Sequence, residues 1–234
     1  MAEHAAPPSK RCKLDYNDTI TILAGSTETP FTIHKDVVCA KSDFFAAAYT
    51  GNWSEKTGGV VRLPTVEANI VKMYIHWCYA NTIDVSLLSS VHEPSFEPIE
   101  DKTCNLRSIT RALISLYVAT DMILDDNLKD CVMDEMMKRY KGKSLNFESG
   151  AVQEMLDTIG TNSKMYIFVV DYFARCKVRC SSVEDLANYP PLFLADVVVR
   201  FSEVSGKVKA NAEPGSETVC RYHICCKKEQ NCAL

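Results

Sequence analysis

A cluster of cysteines with one histidine, near residue 220, has the residue types that bind zinc. Thiolate sulfur and imidazole nitrogen are the usual ligands of a tetrahedral zinc ion, and a structural site needs four of them, commonly in two close pairs. The sequence supplies one such cluster and no obvious second pair, although Cys176 and Cys180, separated by three residues, are a candidate. A zinc site and a thiol-rich tail without metal therefore both stay open for Cys220, His223, Cys225, Cys226 and Cys232.

Residues that could act as a nucleophile and a base are present, but no catalytic motif accompanies them. The sequence has no phosphate-binding glycine-rich loop, no G-x-S-x-G elbow and no H-E-x-x-H pair. His34 and Cys39 are close in sequence, but they lie where the pattern predicts a strand followed by helices, which favours packing over catalysis. We predict no enzyme activity, no catalytic residue and, zinc aside, no cofactor.

Composition and charge exclude several functions. The net charge of −4 and the pI near 5.8 leave no basic excess to neutralise phosphates, so we expect no direct nucleic-acid binding. No apolar run reaches the roughly 18 residues of a membrane span, and the first residues lack the apolar core of a signal peptide. The 11 cysteines are an odd number and lie mostly in apolar segments, which favours reduced thiols in an intracellular protein.

The N-terminal region is small, proline-containing and basic. Such a composition predicts a disordered tail over residues 1–15. The basic residues resemble a short nuclear-import signal, because an extended cationic segment suits an acidic receptor groove. A plain solvated basic tail is the alternative, so nucleus and cytoplasm both stay open as locations. The import-signal candidates are Lys10, Arg11 and Lys13.

The segment after this tail predicts a small sheet covered by helices. Alternating apolar residues indicate strands over 18–23, 29–34 and 60–63, the first two forming a hairpin across a glycine-containing turn. Thr65 is predicted to cap a helix that stops near Asn81. Ser42 is predicted to cap an earlier helix that carries Phe45 and Tyr49 at helical spacing.

Beyond this region we predict a long exposed loop and then helices only. The loop is polar and contains two prolines, and helical periodicity resumes after it. An apolar helix from Met165 to Phe173 is predicted to be deeply buried, and a later helix is predicted to begin at a proline. The predicted organisation is a tail at 1–15, an α+β domain at 16–140 with its loop at 81–105, an all-helical extension at 141–206 and a cysteine-containing flexible tail at 207–234.

Several short motifs in order resemble the BTB/POZ domain. They are Phe-x-x-His-Lys at 31–35, Ser-x-Phe-Phe at 42–45, a strand ending Leu-Pro at 63–64, and Trp-x-Tyr at 77–79. The chain is most similar to the BTB-domain proteins of filamentous fungi. This resemblance implies a small sheet capped by an α-helical cluster, and a protein–protein interaction module that commonly dimerises through its first helix and surroundings.

The resemblance also implies which residues contact partners. Cullin-binding members use the surface around the Phe45 helix and the Trp77-x-Tyr79 end of the later helix. The simplest interpretation of Phe45 and Tyr49 is nevertheless core packing. Transcription-factor members place an acidic and a basic residue in a shared charged pocket, to which Asp18 and Lys35 correspond; an exposed ion pair is the alternative. The interaction candidates are Asp18, Lys35, Phe45, Tyr49, Trp77 and Tyr79.

Three functions are consistent with these residues. The first is a scaffold or substrate adaptor for a cullin-type ubiquitin ligase. The second is a nuclear regulatory or transcription-associated factor that recruits partners through the BTB domain, and the third is a zinc-assisted binding module. In each case the expected partners are proteins, among them a second copy of the chain or a cullin. We expect binding to neither nucleic acid nor a membrane.

Overall fold

A three-stranded sheet begins the described part of the chain. The strands are β1 (Thr19–Ala24), β2 (Thr29–His34) and β3 (Val60–Leu63), in the order β2-β1-β3. β1 is antiparallel to β2 and parallel to β3, so the sheet is mixed. The computed structural model describes residues 17–50, 59–87, 102–140, 147–175 and 183–205.

The hairpin confirms the strand predictions. Ile20 pairs with Ile33 and Ile22 with Phe31, so apolar residues face each other across the two strands. Ile20, Ile22 and Ile33 are buried, whereas Thr32, the neighbour of Ile33 on β2, is exposed. In the turn, Gly25 has a φ of 69°, a left-handed conformation that glycine adopts without steric cost. The alternation read from the sequence therefore identifies the face that packs on the helices.

Two short helices follow the hairpin, α1 (Lys35–Cys39) and α2 (Asp43–Thr50). Ser42 caps α2, because its Oγ accepts the backbone N–H of Phe45 at 3.1 Å. The same hydroxyl donates to the carbonyl of Ile123, far along the chain. The predicted cap is confirmed, and it also fastens α2 to a later helix, a contact that no local pattern indicates.

The next helix, α3 (Ala68–Ala80), ends where predicted but begins later. Asn81 is left-handed with a φ of 55°, and its N–H donates to the carbonyl of Trp77 at 2.9 Å. The prediction that Thr65 caps the helix is wrong, since Glu67 occupies the N-cap position. The N–H of Val66 donates to the carbonyl of Leu63 at 3.2 Å, so Thr65 lies in a tight turn after β3.

Two longer helices complete this half of the molecule, α4 (Lys102–Ile123) and α5 (Asp126–Tyr140). The loop predicted over 81–105 is described only as far as residue 87, and α4 begins inside it at Lys102. That early start is a correction to the prediction. Its physical reason is that the first residues of α4 include few apolar side chains, so no periodicity reveals them.

Further helices make up the rest of the described residues, as predicted for the later part of the chain. They are α6 (Ser149–Ile159), α7 (Lys164–Arg175), α8 (Val183–Ala187) and the proline-initiated α9 (Pro191–Ser205). α7 buries most of its residues, including Phe168 and Phe173, which confirms the prediction of a buried helix. Phe147 and Val152 belong to the same hydrophobic core as Leu113 of α4. The later helices thus extend the core, while a division into domains at residue 140 stays a prediction.

Candidate protein-interaction surface

Three segments that are distant in sequence meet at one corner of the molecule. They are the α1–α2 connection, the end of α3 and the α4–α5 connection. The backbone N–H of Asp43 donates to the carbonyl of Leu124 at 3.4 Å, next to the Ser42–Ile123 hydrogen bond. The indole Nε1 of Trp77 donates to Asp125 Oδ2 at 3.0 Å. These bonds fix the three segments relative to one another.

Asp125 is the central polar group of this corner. Its Oδ1 accepts the backbone N–H of Leu128 at 2.9 Å, which caps α5, while its other oxygen receives the Trp77 indole N–H. Asp125 is almost completely buried. Burial raises the pKa of this carboxyl above its ordinary value, although the two hydrogen bonds and the charge of Lys41 oppose the shift.

Lys41 brings a positive charge to the same corner. Its ammonium group donates to Asn81 Oδ1 and lies 4.8 Å from the centroid of the Trp77 ring. At this distance the ring face attracts the cation. The left-handed residue that ends α3 and the lysine before α2 are therefore linked at the surface.

Exposed apolar side chains lie on two of the same three segments. Tyr79 is 49% exposed, Met122 41% and Leu124 53%. Leu124 also has a φ of 58°, a left-handed conformation that leucine rarely adopts. Backbone strain of this kind concentrates at functional sites. We call the set Lys41, Tyr79, Asn81, Met122 and Leu124 the corner surface.

Tyr79 is held in place by His34, at the start of α1. The backbone N–H of His34 donates to the Tyr79 hydroxyl at 3.1 Å, and that hydroxyl lies 2.6 Å from His34 Nδ1. The two rings meet edge to face with centroids 5.8 Å apart. A half-exposed aromatic ring that is anchored at its polar end can contact a partner at little cost in side-chain entropy.

Asp18 and Lys35 form an ion pair at the beginning of the sheet. Lys35 Nζ lies 3.0 Å from Asp18 Oδ2, and the side chains are 34% and 48% exposed. The hydrogen bond to Asp18 is the main reason that the pKa of Lys35 is raised. The ammonium also lies 5.4 Å from the Tyr49 ring centroid. A pair this exposed typically contributes less than about 1 kcal/mol to stability.

The structure separates the predicted interaction residues into two groups. Asp18, Lys35 and Tyr79 are accessible, whereas Phe45, Tyr49 and Trp77 are buried. The buried three belong to the hydrophobic core and cannot contact a partner directly in this conformation. Four members of the corner surface are not among the interaction residues predicted from the sequence. They are Lys41, Asn81, Met122 and Leu124.

Other predicted sites lie outside the described residues. These include the import-signal candidates Lys10, Arg11 and Lys13 and the metal candidates Cys220, His223, Cys225, Cys226 and Cys232. Within the described ranges, no group of three or more His, Cys, Asp or Glu side chains is arranged to hold a metal ion. None of the helices in these ranges is long and apolar enough to cross a membrane.

The described cysteines behave as the apolar residues that the sequence predicts. Cys39, Cys78 and Cys131 are free thiols. Burial raises the pKa of Cys78 to about 12 and that of Cys131 to about 11. Since the thiolate is the reactive form, these side chains are poor nucleophiles and metal ligands at neutral pH.

A comparison with protein families agrees with the sheet and the first helices. Residues 11–97 match the family model for the BTB/POZ domain. The match spans the β1–β2 hairpin, α1, α2, β3 and α3, which are the elements that carry the motifs at 31–35, 42–45 and 77–79. The narrower likeness to the fungal proteins stays a prediction. Residues 11–97 of this chain are therefore a BTB/POZ domain, a module for protein–protein interaction, and it is followed by further helices.

Proposed function

We propose that the chain is an adaptor that binds a cullin-type ubiquitin-ligase scaffold through the corner surface. The observation that carries the proposal is Leu124, an apolar side chain that is half exposed on a left-handed backbone. The left-handed residue ends α4, as Asn81 ends α3, but leucine adopts this conformation at a cost and its exposed side chain gains little burial. A binding partner that covers Leu124 gives both features a role.

The composition of the corner surface supports a protein partner. Tyr79, Met122 and Leu124 supply aromatic and flexible apolar contacts, and Lys41 and Asn81 supply polar groups. Binding energy at protein interfaces concentrates in such a small apolar centre surrounded by polar groups. The surface lies at the end of α3, where the resemblance to cullin-binding BTB proteins also puts it. The helices from α6 onward would then be available for a substrate.

Replacing Leu124 with Asn should weaken binding to a cullin amino-terminal domain by about tenfold or more, equivalent to roughly 1.4 kcal/mol. Tyr79→Ala should act in the same direction. Asn adopts the left-handed conformation more readily than leucine, so Leu124→Asn should not lower the melting temperature. The affinities would be measured by isothermal titration calorimetry with the purified proteins.

The matched control is Val183→Asn, which removes another exposed aliphatic side chain, 78% exposed, from α8. It should bind as the original protein does. Equal affinities for Leu124→Asn, Tyr79→Ala and the control would contradict the corner surface. No binding by the unaltered chain to any cullin domain would contradict the adaptor function itself.

A nuclear regulatory factor is the second candidate, supported by the Asp18–Lys35 pair. This pair lies 3.0 Å apart at the positions where the resemblance puts the charged pocket of transcription-factor members. A factor of this kind must enter the nucleus, and the basic N-terminal residues are the segment of the chain that suits an import receptor.

Localisation of a fluorescent fusion tests this second candidate. Changing Lys10, Arg11 and Lys13 to Ala should lower the nuclear-to-cytoplasmic intensity ratio. The matched control is Lys72→Ala/Lys138→Ala, which removes two exposed lysines from helices of the folded part of the chain and should leave the ratio as it is. An unchanged ratio in the tail variant would argue against import by this tail.

A further inference from the structure

The last described helix, α9, has apolar side chains on two sides. Its buried side includes Phe193, which is fully buried, and Arg200, which pairs with the buried Asp171 of α7. Its opposite side is also apolar, which is unusual because the outer side of a surface helix is normally polar. The exposed fractions are 56% for Leu192, 66% for Val198, 58% for Val199 and 58% for Phe201.

These four side chains share the outer half of the helix. Residues three, four or seven positions apart lie on the same side of a helix, which joins Leu192 to Val199 and Val198 to Phe201. At these exposed fractions they present on the order of 400 Å² of apolar surface. We call them the α9 strip. This area is comparable to the largest apolar patch on a typical monomer, and such patches often have a function.

The size of the α9 strip argues against a separate partner. A stable interface between two proteins commonly buries about 800 Å² on each side, so the strip supplies roughly half of that area. A segment of the same chain needs less contact area. The linker keeps such a segment near the strip at an effective concentration in the millimolar range, so less translational freedom is lost when it binds.

The chain beyond α9 contains a segment with suitable chemistry. Residues 206–218 are mostly polar or small, and residues 219–226 read Val-Cys-Arg-Tyr-His-Ile-Cys-Cys. The linker can extend roughly 40 Å. A helix of the length of α9 spans only about 22 Å, so the apolar segment can reach every part of the strip.

We propose that residues 219–226 bind the α9 strip within the same molecule, with Val219, Tyr222 and Ile224 as the apolar contacts. This contact covers the second apolar side of α9 and keeps it from other copies of the chain. It depends on neither the cullin surface nor a bound metal.

Hydroxyl-radical footprinting with mass spectrometry tests the proposal on the full-length chain. In Tyr222→Asp/Ile224→Asp, oxidation of Leu192 and Phe201 should rise about threefold, as expected if the segment is bound in most molecules. The matched control, Val208→Asp/Ala210→Asp, changes the linker and should leave oxidation as it is. Equal oxidation in all three proteins would overturn the proposal.

A variant on the α9 side of the contact distinguishes binding by residues 219–226 from binding of the strip by a second copy of the chain. Val199→Asp replaces an exposed side chain, so the fold should persist, and oxidation of Tyr222 should rise by a similar factor. Oxidation of Phe201 that falls as the protein concentration rises would show that a second copy covers the strip, and would overturn the intramolecular contact. Tyr222 oxidation that Val199→Asp leaves unchanged would overturn it as well.

Discussion

Phe45→Ala is expected to lower the free energy of unfolding by roughly 3–5 kcal/mol, the range for truncating a buried phenylalanine. Phe45 is fully buried on α2, and its ring is stacked on Tyr74 of α3 with centroids 6.2 Å apart. Removing the ring opens a cavity between two helices of the BTB/POZ domain. A loss of this size is a large part of the stability of an ordinary domain.

Urea unfolding followed by circular dichroism measures this effect. Phe45→Leu is the matched control, because it keeps most of the volume and should cost less than about 1.5 kcal/mol. Similar unfolding midpoints for Phe45→Ala and the unaltered chain would show that the site is not a packed core. Loss of partner binding in Phe45→Ala would reflect unfolding, and so Leu124 and Tyr79 are the better positions for testing the corner surface.

Asp125→Ala is expected to cost roughly 2–4 kcal/mol. About 1 kcal/mol comes from the lost cap of α5. The rest comes from the Trp77 indole N–H, which would stay buried without its acceptor and costs about 1–3 kcal/mol. Both hydrogen bonds are well formed, at 2.9 Å and 3.0 Å. The same urea experiment measures the change, and a cost below about 1 kcal/mol would contradict the central role of this carboxylate.

Asp125 should also make stability depend on pH. Burial raises its pKa above the ordinary 3.8, so the folded chain holds this proton more tightly than the unfolded chain does. Its contribution is therefore most favourable at low pH and is lost as the pH rises from the ordinary pKa through the raised one. Asp125→Asn cannot titrate and should remove this slope. An identical dependence of the unfolding free energy on pH in both proteins above the ordinary pKa would contradict the assignment.

Local sequence patterns predicted the elements well, because each pattern reflects a local rule. The strands follow from side-chain alternation, and the cap at Ser42 follows from its hydroxyl before an apolar helix. The failures at Thr65 and Lys102 are also local. Thr65 lies in a tight turn after β3 and therefore does not cap α3. The first turn of α4, which begins at Lys102, is mostly polar and shows no apolar periodicity.

The candidate surface was harder to predict because it is made by contacts between distant segments. Tyr79 was found through a motif, but its partner His34 is 45 positions away. Helical spacing cannot distinguish a core residue from an interface residue, so it does not exclude Phe45 and Trp77 as interface candidates, although both are buried. Leu124 carries no signal in the sequence, since its left-handed backbone arises from the junction of α4 and α5.

The central position of β1 in the sheet sets an order of events during synthesis. Its pairing with β2 needs only a short turn. Its pairing with β3, in which Thr21 is opposite Val60, closes a loop that contains β2, α1 and α2. Closing that longer loop is slower, because more chain entropy is lost before the contact forms. On the ribosome, one edge of β1 therefore stays open until residue 63 has emerged. During that interval the nascent hairpin offers an unpaired apolar strand, the stage at which aggregation or chaperone binding competes with folding.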